Sequence, residues 1–168
     1  GDFQIWFNSA LTGITHTAST QTFTNYRANQ CNLTGNHDMS MLPGLGGNLL
    51  MSSNPLLTGI THTASTEVFT NYNVSTCNLT GNHDMSMFPN LGGQFSITKN
   101  PLLTSITHTA STQTIAYQLT ECGLTGNHDL SMLPGLGGGF AMFKNPLLTS
   151  ITHTASTEVF ISYNASQC

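Results

Sequence analysis

Apolar residues return at short, even intervals along the whole chain. In "FTNYNVSTCNL" (Phe69–Leu79) the apolar positions are Phe69, Tyr72, Val74 and Leu79, with Cys77 between the last two. In "GGQFSITKNPL" (Gly92–Leu102) Phe95, Ile97 and Leu102 take the same places and Asn100 stands where Cys77 stood. The central triplets Tyr72-Asn73-Val74 and Phe95-Ser96-Ile97 alternate apolar and polar, which is the period of a half-buried strand. "NP" and "GLGG" punctuate the returns. No segment carries a sustained helical stripe, so the pattern predicts short strands and turns, with a second, weaker strand column formed by "NHDMSM" and "ITHTA".

The pattern is also a repeat. "LTGITHTASTEVF" at Leu57–Phe69 has near-copies starting at Leu11, Leu103 and Leu148, and "CNLTGNHDMSM" at Cys31 and Cys77 returns as "CGLTGNHDLSM" at Cys122. Within this long period lies a shorter one. Asn8, Cys31, Asn54, Cys77, Asn100, Cys122, Asn145 and Cys168 follow one another at steps of 23 residues, with a single step of 22 before Cys122. Residues 1–168 therefore read as one all-β-rich repeat solenoid, about eight coils in four tandem pairs, with a parallel sheet on one face and few or no regular helices. In such a stack each coil touches only its neighbours. Strict alternation of two coil types makes a pair of coils the building block.

The spacing of Phe23, Tyr26, Cys31 and Leu33 in "FTNYRANQCNL", and of the equivalent residues from Phe69, resembles the leucine-rich repeat pattern L-x-x-L-x-L-x-x-[N/C]-x-L. The "LTG" at Leu33–Gly35 and Leu79–Gly81 is similar to the plant-type subclass of that family. The likeness covers essentially the whole chain. It departs from the family pattern where Gly92 holds the first position of alternate units, where Ala10 replaces a Leu, and at His37. It implies a strand face that binds partners. On that face one column runs Gln4, Arg27, Leu50, Asn73, Ser96, Gln118, Ala141 and Asn164. The next column includes Trp6 and Phe143. Trp6, Arg27, Asn73, Ser96, Gln118, Phe143 and Asn164 are the candidate contact residues.

Asn8, Asn54, Asn100 and Asn145 alternate with Cys31, Cys77, Cys122 and Cys168 in one structural ladder. Cysteines two coils apart are separated by roughly twice the inter-strand distance of about 4.8 Å. That exceeds the roughly 7 Å limit for a disulfide, so all four are expected as reduced, buried thiols without metal. The histidines form two sets: His16, His62, His108 and His153, and His37, His83 and His128. Aligned without gaps, both sets face inward, His37 lies beside Ile14 and Ile60, and His16 lies beside Met39. A one-residue gap after "NPL" would reverse every side chain and set His16, Asp38, His62 and Asp84 in one alternating His–Asp ladder, a pH switch or weak metal site. The constant repeat length favours the ungapped register.

Charge then narrows the function. Only ten of 168 residues are Lys, Arg, Asp or Glu. No basic stripe marks a nucleic-acid partner, no apolar run approaches a spanning helix, and no charged n-region precedes an apolar h-region, which suggests a chain that is mature, processed or cut from something longer. No P-loop, H-E-x-x-H or C-x-x-C occurs. Each Ser, His and Asp also has equivalents in the next pair, whereas active sites are singular. No catalytic residue, cofactor or metal is therefore expected. Asn32, Asn73, Asn78 and Asn164 head N-x-[S/T] sequons, candidate glycosylation acceptors on a secretory route. The chain opens and closes in mid-pattern, which suggests a segment of a longer array or units stacking end to end. The expectation is a non-catalytic structural protein of an extracellular or cell-surface fibre, appendage or adhesin shaft. Its partner would be itself, with glycans or a surface protein as further partners. A recognition module for a protein or glycan is the alternative. An ice- or surface-binding Thr array built on "THT" is a third, weaker one.

Overall fold

Each coil opens with a strand that hydrogen-bonds to its counterpart in the next coil. The structure, a computed structural model, describes residues 1–153 and 159–168. Its strands are β1 (Asp2–Gln4), β2 (Phe23–Arg27), β3 (Thr34–Asp38), β4 (Leu45–Leu50), β5 (Leu56–Thr61), β6 (Phe69–Asn73) and β7 (Gly81–Met85). They continue as β8 (Leu91–Ser96), β9 (Leu103–His108), β10 (Ile115–Gln118), β11 (Thr125–Asp129), β12 (Leu136–Ala141), β13 (Leu147–Thr152) and β14 (Phe160–Asn164). The principal face is one eight-stranded parallel sheet, ordered β1-β2-β4-β6-β8-β10-β12-β14. Among the described residues the return side holds three separate two-stranded parallel ladders, β3-β5, β7-β9 and β11-β13. No described residue is helical, and no helix is long and apolar enough to cross a membrane. The protein is an all-β parallel solenoid of about seven turns.

The core is a set of columns. Phe3, Tyr26, Leu49, Tyr72, Phe95, Tyr117, Phe140 and Tyr163 are in register down the sheet. Their rings stack wherever two aromatics meet, at centroid distances from 4.6 Å (Phe140–Tyr163) to 6.2 Å (Tyr117–Phe140). Beside them Ala28, Met51, Val74, Ile97, Leu119 and Met142 are fully buried. Burial of these apolar columns, at about 25 cal/mol per Å², joins one coil to the next.

The glycine at the first position of alternate units is explained by a bulge. Leu45, Leu91 and Leu136, one residue earlier than expected, pair with Phe23, Phe69 and Ile115 and are buried. The double glycine that follows absorbs the extra residue as a register shift. Gly47 and Gly93 have positive φ, and a Cβ there would strike the carbonyl oxygens of Thr24 and Thr70. The opposite choice is made just before each ladder residue. Phe7, Gln30, Ser53, Thr76, Lys99, Glu121, Lys144 and Gln167 all lie at φ between 54° and 60°, where a side chain costs about 1–2 kcal/mol. Two substitutions should therefore act in opposite directions. Gly93→Ala is expected to destabilise by about 3 kcal/mol through clash and strain. Thr76→Gly, relieving a β-branched residue in left-handed conformation, is expected to stabilise by about 0.5–1 kcal/mol. Urea denaturation of both variants checks the pair, and equal signs would contradict this reading of the turn.

Candidate functional site

The return side is not continuous, and its breaks define the site. Within a pair the strands form a ladder that, after one bulge, holds the ungapped register: His37 pairs with Ile60 and Met85 with His108. Between pairs the backbones part. In the second such seam the coils are tied by Thr80 N–H to the Thr58 carbonyl (3.0 Å) and by Ser65 N–H to the Met87 carbonyl (3.2 Å). Between these ties β5 and β7 belong to different sheets. A cleft of about 440 Å³ opens there, lined among others by Asn36, Thr61, His62, His83, Asp84 and Met87. The third seam holds a cleft of about 260 Å³ beside His108, His128, Asp129 and Met132.

A tyrosine and two histidines close each seam from inside. Tyr26 Oη lies 2.8 Å from His16 Nε2 and 2.9 Å from His37 Nε2. Tyr72 bridges His62 and His83 at 2.9 and 2.7 Å. Tyr117 bridges His108 and His128 at 2.7 and 2.9 Å. A phenol donates one proton and accepts one, so one imidazole of each pair donates to it and the other accepts. Nδ1 of His62 and of His108 is buried without a partner. An orphaned acceptor is the cheaper orphan, so these two rings carry their proton on Nε2 and donate to the tyrosine. The tyrosine in turn donates to His83 or His128. All six rings are thereby neutral. Burial, the largest influence, lowers His37, His83 and His128 to about 4. It lowers His62 well below its ordinary value and holds Tyr26 well above the usual phenol range.

The His–Asp ladder of the gapped alignment is absent. Asp38, Asp84 and Asp129 are exposed, are paired with Thr61, Thr107 and Thr152, and cap the N–H of Ser40, Ser86 and Ser131. His16 meets His37 (Nε2–Nε2 3.4 Å), so that across this seam His16 does not face Met39 nor His37 Ile14, because the register slips by two residues and so keeps both rings facing inward. His153 is exposed, its ring 6.3 Å from that of Tyr163.

The Asn/Cys ladder is a series of hooks. The buried side chains of Asn54, Asn100 and Asn145 donate to the carbonyls of Ala28, Val74 and Leu119 in the preceding coil (2.8, 3.0 and 2.7 Å). Cys31, Cys77 and Cys122 do the same from Sγ, to Ile5, Met51 and Ile97. All four cysteines are free. Cys168, expected buried, is exposed, as is Asn8, because no further coil covers either position.

On the principal face Arg27, Asn73, Ser96, Gln118 and Asn164 share one column through successive pairings. Ser96 is 5% exposed and bonds Ser75 Oγ at 3.0 Å, which leaves it little to offer a partner. The Arg27 guanidinium lies 5.8 Å over the Trp6 ring, beside a cleft of about 250 Å³ that also includes Asn29, Leu50 and Asn73. Phe143 is half-buried, 5.9 Å from Lys144 Nζ. Among the sequon asparagines, Asn164 is exposed and Asn32, Asn73 and Asn78 are half-buried. Asn32 also donates to the Ser9 carbonyl at 2.9 Å. The sequence reading missed the tyrosine of each triad. Its signal was the strict recurrence of Tyr26, Tyr72, Tyr117 and Tyr163 in only every second coil.

A scan against protein-family models, a search of curated proteins and a search of solved structures find nothing that matches the chain.

Proposed function

We propose that this protein is a non-catalytic structural repeat of the leucine-rich type, which builds the shaft of an extracellular or cell-surface fibre, appendage or adhesin by coil stacking. One observation carries the reading. Among the described residues, successive coils hold one another by alternating Asn and Cys hooks and by the same columns, so the main contacts recur along the chain instead of converging on one site. What such a chain accumulates along its length is rigidity and reach.

End-to-end stacking would engage the face of the last strand, β14. Tyr163 is 50% exposed where Tyr26, Tyr72 and Tyr117 are fully buried, and Ile161 beside it is 88% exposed. A further coil, of this polypeptide or of a second copy, would cover that face. A coil of the first type also fits the alternation, since it would bring Phe3 onto Tyr163 and Asn8 toward the Ala165 carbonyl. Sedimentation and electron microscopy across a concentration series test this. Rods that lengthen with concentration, and that Tyr163→Lys shortens, are expected. An 18.0 kDa monomer at every concentration would sink end-to-end stacking.

A second reading, recognition of a protein or glycan on the strand face, is favoured by the cleft at Trp6 and Arg27. Arg27 Nε is buried there without a partner. Trp6→Ala would abolish such binding and leave rod formation unchanged.

A further inference from the structure

We propose that the seams are sites for a divalent transition-metal ion, copper(II) in preference to zinc(II), held by the two histidine Nε2 atoms and the tyrosine oxygen. Among the described residues no three His, Cys, Asp or Glu side chains are grouped to hold a metal. Here the third donor is a phenol. At the first seam the donor–donor separations are 2.8, 2.9 and 3.4 Å. Donors about 2.0–2.1 Å from one ion lie roughly 2.9–3.4 Å from each other. The three atoms are therefore already spaced as one coordination face, with the ion about 1 Å out of their plane and one side open.

Three further features point to an ion. The second and third seams let one in through clefts that adjoin His62–His83 and His108–His128, and at the first seam His16 is half-buried rather than buried. Met87 and Met132, which line those clefts, are 45% and 48% exposed, and Met41 holds the equivalent place at 50%. A thioether left half exposed in every second coil is only partly used by the core, and beside two imidazoles it can serve copper(II) as a weak axial ligand. The exposed carboxylates Asp84 and Asp129 line the same two mouths.

A neutral imidazole binds an ion without losing a net proton, provided that its N–H sits on the ring nitrogen that does not bind. On binding, the tyrosine proton leaves to solvent. The ring that had donated to the phenol moves its proton from Nε2 to Nδ1. That shift strands a buried N–H at His62 and His108 but not at His16, whose Nδ1 is not among the orphaned buried atoms. The first seam is therefore expected to fill first.

Copper(II) chloride and zinc(II) chloride are titrated separately into the intact protein at pH 7.5. Bound metal is counted after dialysis, and the absorption and electron paramagnetic resonance spectra are recorded. The expected result is one to three coppers per chain, held at least tenfold more tightly than zinc. A phenolate-to-copper absorption band and splitting from two imidazole nitrogens should accompany binding. Tyr26→Phe/Tyr72→Phe/Tyr117→Phe, which keeps the ring packing, should abolish the band and weaken binding at least tenfold. Absence of bound copper would overturn the proposal. So would an oxygen-only resonance spectrum of the wild-type protein, a reading that needs no variant to fold. Copper that survives the tyrosine substitutions unchanged would place the ion elsewhere and also overturn it.

Discussion

Acidification from pH 7.5 to 5 is expected to remove most of the stability of this fold. His37, His83 and His128 are 4–5% exposed, and burial holds each near 4. Their neighbours act in both directions. Asp38, Asp84 and Asp129 pull the three rings up, while His16 pushes His37 further down. The folded values lie below the roughly 6.5 of an unfolded histidine, so the unfolded chain takes up protons first. Stability is thus fully present above about 6.5 and is lost as pH falls toward 4. At pH 5 each ring contributes about 2 kcal/mol against the fold. The three together approach 6 kcal/mol, comparable with the whole margin of a typical domain. His62 and His108 are shifted the same way, also chiefly by burial. Below this range Asp38, Asp84 and Asp129, held low chiefly by bonds from their capped serines, add loss in the same direction. Urea midpoints at pH 7.5 and 5 measure the effect, and far-UV circular dichroism should show acid unfolding centred between pH 4 and 6. Equal stability at the two pH values would mean that the seam histidines are not buried and neutral.

The second large effect concerns the hooks. Asn54→Ala is expected to destabilise by about 3–5 kcal/mol. The Asn54 side chain, with no exposure, donates to the Ala28 and Met51 carbonyls at 2.8 Å each and accepts from the Leu33 N–H at 3.3 Å. Alanine would leave the buried Ala28 carbonyl and Leu33 N–H without this partner, each worth about 1–3 kcal/mol, and would leave the Met51 carbonyl only the weak Cys77 S–H. Cys77→Ala removes a weak S–H donor 3.4 Å from the Met51 carbonyl and should cost about 1 kcal/mol. Thermal melts of the two variants side by side check the asymmetry. Were Cys77→Ala the more damaging, the ladder would be a packing column rather than a set of hydrogen-bonded hooks.

These expectations separate what the amino-acid order determines here from what it does not. Alternation in Tyr72-Asn73-Val74, recurrence of Asn and Cys at 23-residue steps, and "NP" turns are local or periodic signals. A parallel stack converts such signals directly into structure, because each residue meets its own equivalent in the next coil. The columns of the principal face, the free cysteines and the inward histidines follow from that alone. The tertiary structure decided three things that the period does not encode. Leu91 rather than Gly92 fills the inward place, because a bulge can absorb one residue without changing the repeat length. The left-handed turn before each hook falls on residues as unlike as Thr76, Lys99 and Glu121, since the backbone hydrogen bonds there, not the side chains, impose it. The seams arise where the register slips by two residues between pairs. That slip preserves the facing of every side chain and so leaves no trace in a pattern of period two. Only in three dimensions does it bring His16, Tyr26 and His37 to one point.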